Sequence, residues 1–240
     1  MQQIIVNNPN NNYNEVHENK ISVSIPVDNF SINAYLYLPE QPAALVIFSH
    51  GSGSSRFSSR NNYVAEMLCR NNMAALLADL LTPHEDAAIQ NRFNISLLTE
   101  RLKQITRLAV QYAPLKNLPV GYFGASTGAA SALNAAADLK NEIKAVVSRG
   151  GRPDLAREDA LREVVSPTLL IVGSLDNEVI SLNKKAFQKL KCKKDIQIVH
   201  GASHLFEEKG KLHIVSDLAA EWFEKYLVEP FVAKQQAQTF

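Results

Sequence analysis

Short runs of consecutive apolar residues alternate along this chain with longer stretches whose apolar positions recur every three or four residues. The runs within "ALVIFSH", "TLLIVG" and "KAVVSRG" are continuous, the pattern of strands covered by helices on both faces. Two earlier segments alternate instead, as in "INAYLYL", which suits an antiparallel hairpin at a sheet edge. The strands predicted are Ile21–Val27, Ser31–Leu38, Ala44–Ser49, Ala74–Asp79, Pro119–Phe123, Ala145–Ser148, Thr168–Val172 and Ile196–Val199. Helical spacing covers Ser59–Asn72, Ser96–Ala113, Thr127–Leu139, Ser181–Lys191 and His213–Leu227. The last is the clearest, with Ile214, Val215, Leu218, Ala219, Trp222, Phe223 and Tyr226 on one broad face.

This alternation predicts an α/β fold: a doubly wound, mostly parallel sheet of about eight strands in one domain, residues 21–228. Residues 1–20 read as a flexible, Asn-rich leader, and 229–240 as a C-terminal tail without a clear period. The segment from Leu80 to Asn94 is too short for a large cap domain, so an open pocket is expected.

With 240 residues, 46% hydrophobic and 20% charged, the composition is that of a globular domain with a substantial core. A net charge of +1 gives no reason to expect nucleic acid or an anionic membrane as a partner. No apolar run approaches the ~18–20 residues that span a bilayer. The N-terminal residues lack the charge and apolar core of a signal peptide. Cys69 and Cys192 have no metal-ligand spacing and suggest a reducing compartment. A cytoplasmic monomer or homodimer with no cofactor and no metal is therefore expected.

Chemistry enters with "GYFGASTGAA", which contains the G-x-S-x-G pattern at Gly124, Ser126 and Gly128. The pattern sits between a predicted strand and a predicted helix, where a serine is presented on a sharp, strained turn. It does not match G-x-G-x-x-G, and no G-x-x-x-x-G-K-[ST] occurs in the chain. "HGSGSSR" follows an earlier strand, so the backbone N–H of Ser52, with Gly53 as second choice, is read as one oxyanion donor and that of Thr127 as the other. His50 reads as an anchor of that loop. Asp176 follows the strand "TLLIVG" and His204 follows the last strand, both beyond carboxyl ends where an open α/β sheet places its site. His204 is favoured over His200 as the base, and Asp176 over Asp79 and Asp154 as its orienting acid.

Together "HGSGSSR", "DLLTP", "GYFGASTG", "VVSRGGRPDL", "LIVGSLDNEVI" and "GASHLFEE" resemble the dienelactone hydrolase-like branch of the α/β-hydrolases, over roughly Ile21 to Leu227. The resemblance implies a lidless single domain with a Ser/Cys–His–Asp triad. Dienelactone hydrolases proper carry a cysteine nucleophile, and Ser126 stands in its place here, which favours ordinary carboxylic esters. Some relatives of this branch are fused to a phosphoribosyltransferase domain, and nothing in these 240 residues suggests one.

Arg56, Arg149 and Arg152 are placed on loops at the same end, as candidate contacts to a substrate anion or as ties within their own loops. Glu207 and Glu208 are expected to open the helix after His204. The expected function is hydrolysis of small carboxylic esters through an acyl-enzyme, with Ser126, His204 and Asp176. Thioester or lactone hydrolysis would use the same groups, and a non-catalytic binding domain on this fold is the other alternative.

Overall fold

Ala44–Ser49 (β4), Met73–Ala78 (β5), Val120–Ala125 (β6) and Thr168–Gly173 (β8) are buried at every position. Such strands tolerate no polar face, because helices cover both sides of the sheet. The structure is a computed structural model that describes residues 4–6 and 19–238. Ile143–Arg149 (β7) and Lys194–Val199 (β9) complete the parallel part. Ile5–Val6 (β1), Lys20–Val27 (β2) and Phe30–Tyr37 (β3) form the antiparallel part, which joins β5 through β3. The described residues thus give nine strands in the order β1-β2-β3-β5-β4-β6-β7-β8-β9.

Alternate side chains of each strand feed two cores. Leu45 and Ile47 of β4 join one, Val46 and Phe48 the other. The first core is closed by Ile95–Ala109 (α3), Gly128–Leu139 (α4), Glu158–Glu163 (α5) and Asn177–Lys189 (α6). The second is closed by Ser59–Arg70 (α1) and Lys211–Phe223 (α7). Between β5 and α3 lies a short helix, Pro83–Asp86 (α2), closed at its start by a reciprocal pair of bonds between Thr82 and Glu85. The sheet therefore has a helical layer on each face, the doubly wound arrangement expected from the sequence.

Three features depart from that expectation. β1 is a ninth strand, two residues long, paired with Val23 and Ser24 of β2. Two residues are too short a run to be told from a loop by periodicity; most of the Asn-rich stretch from Asn7 lies outside the described residues. Secondly, the tail is helical: Glu229–Gln238 forms α8 after a wide turn at Glu224–Val228. Pro230 fits the first turn of a helix, and Ala, Lys and Gln sustain one without any buried stripe. Thirdly, Glu207 and Glu208 precede α7 rather than open it, since that helix starts at Lys211.

Candidate active site

β6 ends at Ala125 and α4 begins at Gly128, which leaves Ser126 and Thr127 to make the turn. Ser126 accordingly sits at φ 51°, a left-handed conformation that costs a non-glycine residue roughly 1–2 kcal/mol. The flanking glycines are required by contact. A Cβ at Gly124 would stand 2.6 Å from Ala129 Cα, and one at Gly128 only 2.1 Å from the Ser49 carbonyl oxygen. The bend is stapled to the next strand: Ser126 N–H donates to the Arg149 carbonyl at 3.2 Å, and its own carbonyl accepts from Arg152 N–H at 2.9 Å.

Asp176 occupies the residue before α6, where an aspartate ordinarily caps the helix with its side chain. Here it makes no cap bond. Its Oδ2 accepts instead from His204 Nδ1 at 2.6 Å. The imidazole comes from the turn after β9, whose shape is fixed by Gly201 and Phe206 at positive φ and by Ser203 N–H donating to Glu208 Oε1 at 3.1 Å. His200 is exposed in that turn and lies outside the cavity.

Ser126 and His204 line one cavity of about 210 Å³ together with Gly51, Ser52, Arg60 and Arg149. No hydrogen bond joins Ser126 Oγ to the His204 ring among the described side chains, a looseness common in sites without substrate. Asp79 is held by Arg56, through Nη1 to Oδ2 and through its N–H to Oδ1 at 2.8 Å. Asp154 is held by Arg152 through Nε at 2.9 Å and Nη2 at 2.8 Å. Of the three carboxylates weighed as partners for His204, the structure brings Asp176 to it.

The two oxyanion donors differ. Thr127 N–H lies at the start of α4 and takes no acceptor among the described residues, as orphan donors of a first turn do. Ser52 N–H is already committed to Thr127 Oγ1 at 2.8 Å, so it reaches an oxyanion only by sharing or exchanging that bond. His50 is a loop anchor: Nδ1 donates to the Gly51 carbonyl at 2.9 Å, and Nε2 accepts from Leu80 N–H at 3.0 Å.

The arginines also separate. Arg152 is closed by Asp154, the tie within its own loop that sequence allowed, whereas Arg56 is closed by Asp79, which follows β5 and lies outside its loop. Arg149 corrects the loop assignment, because it is the last residue of β7 and is buried. Nη2 donates to Asn61 Oδ1 at 2.8 Å and Nε has no partner. Arg60, in the first turn of α1, shares the cavity wall and was not singled out by sequence. Its helix start is legible, but its direction toward a site 66 residues further along the chain is a tertiary fact. Beside this cavity, and meeting it at Ser54, lies a second of about 370 Å³, lined among others by Phe57, Leu81 and Pro83. Among the described residues no cluster of His, Cys, Asp or Glu has a metal-holding arrangement, and no helix is long and apolar enough to cross a membrane.

Strand order, bend serine and acid–imidazole pair together define the class of α/β-hydrolase folds. Within it, residues 32–227 match the dienelactone hydrolase family, and the chain belongs to that family. A solved dienelactone hydrolase from Anabaena variabilis is 47% identical, with a TM-score of 0.83, covering 87% of this chain and 98% of that one. An esterase domain from Rhodothermus marinus shares the fold at 21% identity and a TM-score of 0.68, over 85% of this chain and 98% of that one. Curated relatives from two strains of Mycobacterium tuberculosis, provisionally named phosphoribosyl transferase, are 51% identical over 199 residues, which is 83% of this chain. The chain spans 45% of the length of those relatives.

Proposed function

We propose that this protein hydrolyses small carboxylic esters through an acyl-enzyme formed on Ser126. The observation that carries this reading is the pairing of His204 with Asp176 at 2.6 Å on the wall of the cavity that holds Ser126 at φ 51°. Ser126 Oγ attacks the ester carbonyl carbon as its proton passes to His204 Nε2. The carbonyl oxygen, now anionic, is met by Thr127 N–H and by Ser52 N–H once the latter exchanges its bond to Thr127 Oγ1. The carbon–oxygen bond to the alcohol breaks, and His204 returns the proton to the leaving oxygen. Water then repeats the sequence on the acyl-serine, releasing the acid and restoring the serine hydroxyl. Throughout, Asp176 holds the imidazole with Nε2 free to accept and stabilises its charged form.

The adjoining cavity with Phe57, Leu81 and Pro83 supports a small apolar group on the substrate. Opening a lactone uses the same steps, and the relative at 47% identity bears the name of such an enzyme. The phosphoribosyl transferase of the longer relatives' name is assigned, in this reading, to the part of those chains that this one does not span.

The test is a fluorophosphonate probe, which reacts with an activated serine whatever the natural substrate, with the adduct located by mass spectrometry. Labelling at Ser126 that disappears in Ser126→Ala and His204→Ala is expected. A folded protein that stays unlabelled would remove the hydrolase reading and leave a binding domain on this fold.

A further inference from the structure

Thr127 leaves a second donor unspent besides its N–H. Its side chain is 5% exposed, and its Oγ1 accepts from Ser52 N–H at 2.8 Å. The hydroxyl hydrogen has no acceptor among the described residues. The other buried threonines spend theirs on main-chain carbonyls: Thr99 on Ile95, Thr106 on Leu102 and Thr168 on Ser166, at 2.7, 2.7 and 3.0 Å. A buried hydroxyl that donates to nothing is unfavourable.

The bend explains why this one differs. Thr99 and Thr106 lie inside α3 and reach back to the carbonyl four residues earlier, as threonines in helices do. Thr127 stands just before α4 with strand β6 behind it, so no helical carbonyl lies within that reach. Its hydroxyl meets instead the loop after β4, whose backbone closes on the nucleophile. A Cβ at Gly51 would lie 3.0 Å from Ser126 Cβ and 3.6 Å from Ser126 Oγ. Ser52, the next residue, lines the Ser126 cavity. The hydroxyl is thus bonded to one oxyanion donor, shares a residue with the other, and sits at the start of a 12-residue helix, the end that favours negative charge.

We propose that Thr127 Oγ1 is a third oxyanion donor, whose O–H bonds the carbonyl oxygen of the ester as charge develops there. This rests on the ester-hydrolase reading and adds a side-chain donor to the two main-chain ones. Oγ1 and Ser52 N are 2.8 Å apart, so an oxygen within hydrogen-bond distance of one is within reach of the other. In the free protein these two donors are bonded to each other, which holds the hole in shape while it is empty. When an oxyanion forms, the hydroxyl hydrogen has no bond to break and turns to it first; Ser52 N–H follows. Until then the bond from Ser52 N–H polarises the hydroxyl and strengthens its donation.

The experiment joins a crystal structure to kinetics. A trifluoromethyl ketone adds a serine hydroxyl to its carbonyl carbon and leaves an anionic oxygen where the ester's would form. The adduct of the parent protein with trifluoroacetone should place that oxygen about 3 Å from Thr127 Oγ1, and a separation beyond about 4 Å would overturn the proposal. On p-nitrophenyl acetate, Thr127→Val should lower kcat about 10²-fold, the scale of one oxyanion donor, with KM changed less than about twofold. Thr127→Ser, which restores the hydroxyl, should recover most of that loss. An unchanged kcat in Thr127→Val, a loss confined to KM, or a Thr127→Ser protein as slow as Thr127→Val would each refute the third donor. Thr127→Val also deprives Ser52 N–H of its acceptor, so its own adduct, at saturating ketone, is the control. There Ser52 N–H should still reach the anionic oxygen although the rate is lost. A displaced loop after β4 would mean that the hydroxyl only holds the loop, against the proposal. Fluorophosphonate labelling decides separately whether Ser126 is a nucleophile at all. A failure there removes the hydrolase reading, whereas labelled protein with a misplaced adduct oxygen or an unchanged kcat removes the third donor alone.

Discussion

Burial keeps His50 neutral. The side chain is 8% exposed and both ring nitrogens are engaged inside the fold, so burial pushes its pKa below the ordinary value, against weaker raising effects from the Gly51 bond, Asp79 and Asp86. The unfolded chain takes up a proton there near pH 6.5, whereas the folded one does so only at lower pH. Stability is therefore fully present above pH 6.5 and falls with decreasing pH as the unfolded state binds the extra proton. The slope from this one group is at most about 1.4 kcal/mol per pH unit. His50→Gln, whose amide oxygen can accept from Leu80 N–H, should flatten the fall measured by urea unfolding between pH 6.5 and 5. An unchanged slope would mean that His50 already titrates normally. The same residue illustrates a wider division within the site. His50, Arg56 and Arg152 are closed by partners and hold loops, whereas Ser126 keeps backbone strain, Thr127 an idle N–H and Arg149 a buried nitrogen without a partner.

Between β5 and α3 the chain has to cross the mouth of the sheet in about sixteen residues, and one acid organises the crossing. Glu85 accepts from Thr82 N–H at 2.8 Å and from Arg101 Nη2 at 2.8 Å. Arg101 is 4% exposed and also lies over the Phe30 ring, 4.5 Å from its centroid. Removing the acid leaves that guanidinium buried and unpaired, so Glu85→Ala is expected to lose about 3 kcal/mol or more. For a chain of this size that is roughly 6–12 °C in Tm. Glu85→Gln, which keeps the acceptor but not the charge, should lose less. Equal losses in the two would assign the effect to the charge opposite Arg101, because Gln still closes the helix start. The strands around this segment were legible because each is a continuous apolar run, and the bend at Ser126 because glycines stand at both positions where a Cβ would collide. Asp176 and His204 were legible through chain order and their places after β8 and β9. What escaped was set by packing at a distance. β1 is two residues paired across the sheet edge, α8 has no buried stripe to betray it, and Arg60 and Arg149 meet only in the folded chain. The occupied N–H of Ser52 escaped too, because a hydroxyl 75 positions away takes it.

Two cores on opposite faces of one sheet give the whole molecule an uneven dependence on its C-terminal third. α7 and the wide turn after it close the core shared with α1, and they do so through direct contact with the central sheet. Gly121 of β6 has no side chain because Phe223 and Leu227 press there: a Cβ would meet both at 2.9 Å. Phe223 and Leu227 are fully buried, whereas no described side chain of α8 is. A chain ending at Val228 therefore keeps every core contact of this face and should unfold within about 2 °C of the parent, the range of changes to exposed residues. A chain ending at Glu221 loses both anchors and uncovers β6 just behind the Ser126 bend. Large buried side chains are worth about 2–5 kcal/mol each, against a whole-domain stability of roughly 5–15 kcal/mol. That chain is expected to lack a cooperative thermal transition and to give no serine labelling. If instead the chain ending at Val228 melted far below the parent, α8 would have to cover a surface of this fold, and the division into a closed core and a dispensable end would be wrong. The site depends on the same division. Ser126 is presented by a strand fixed from behind by α7 and from the front by α4, so its strained bend persists only while both faces are packed.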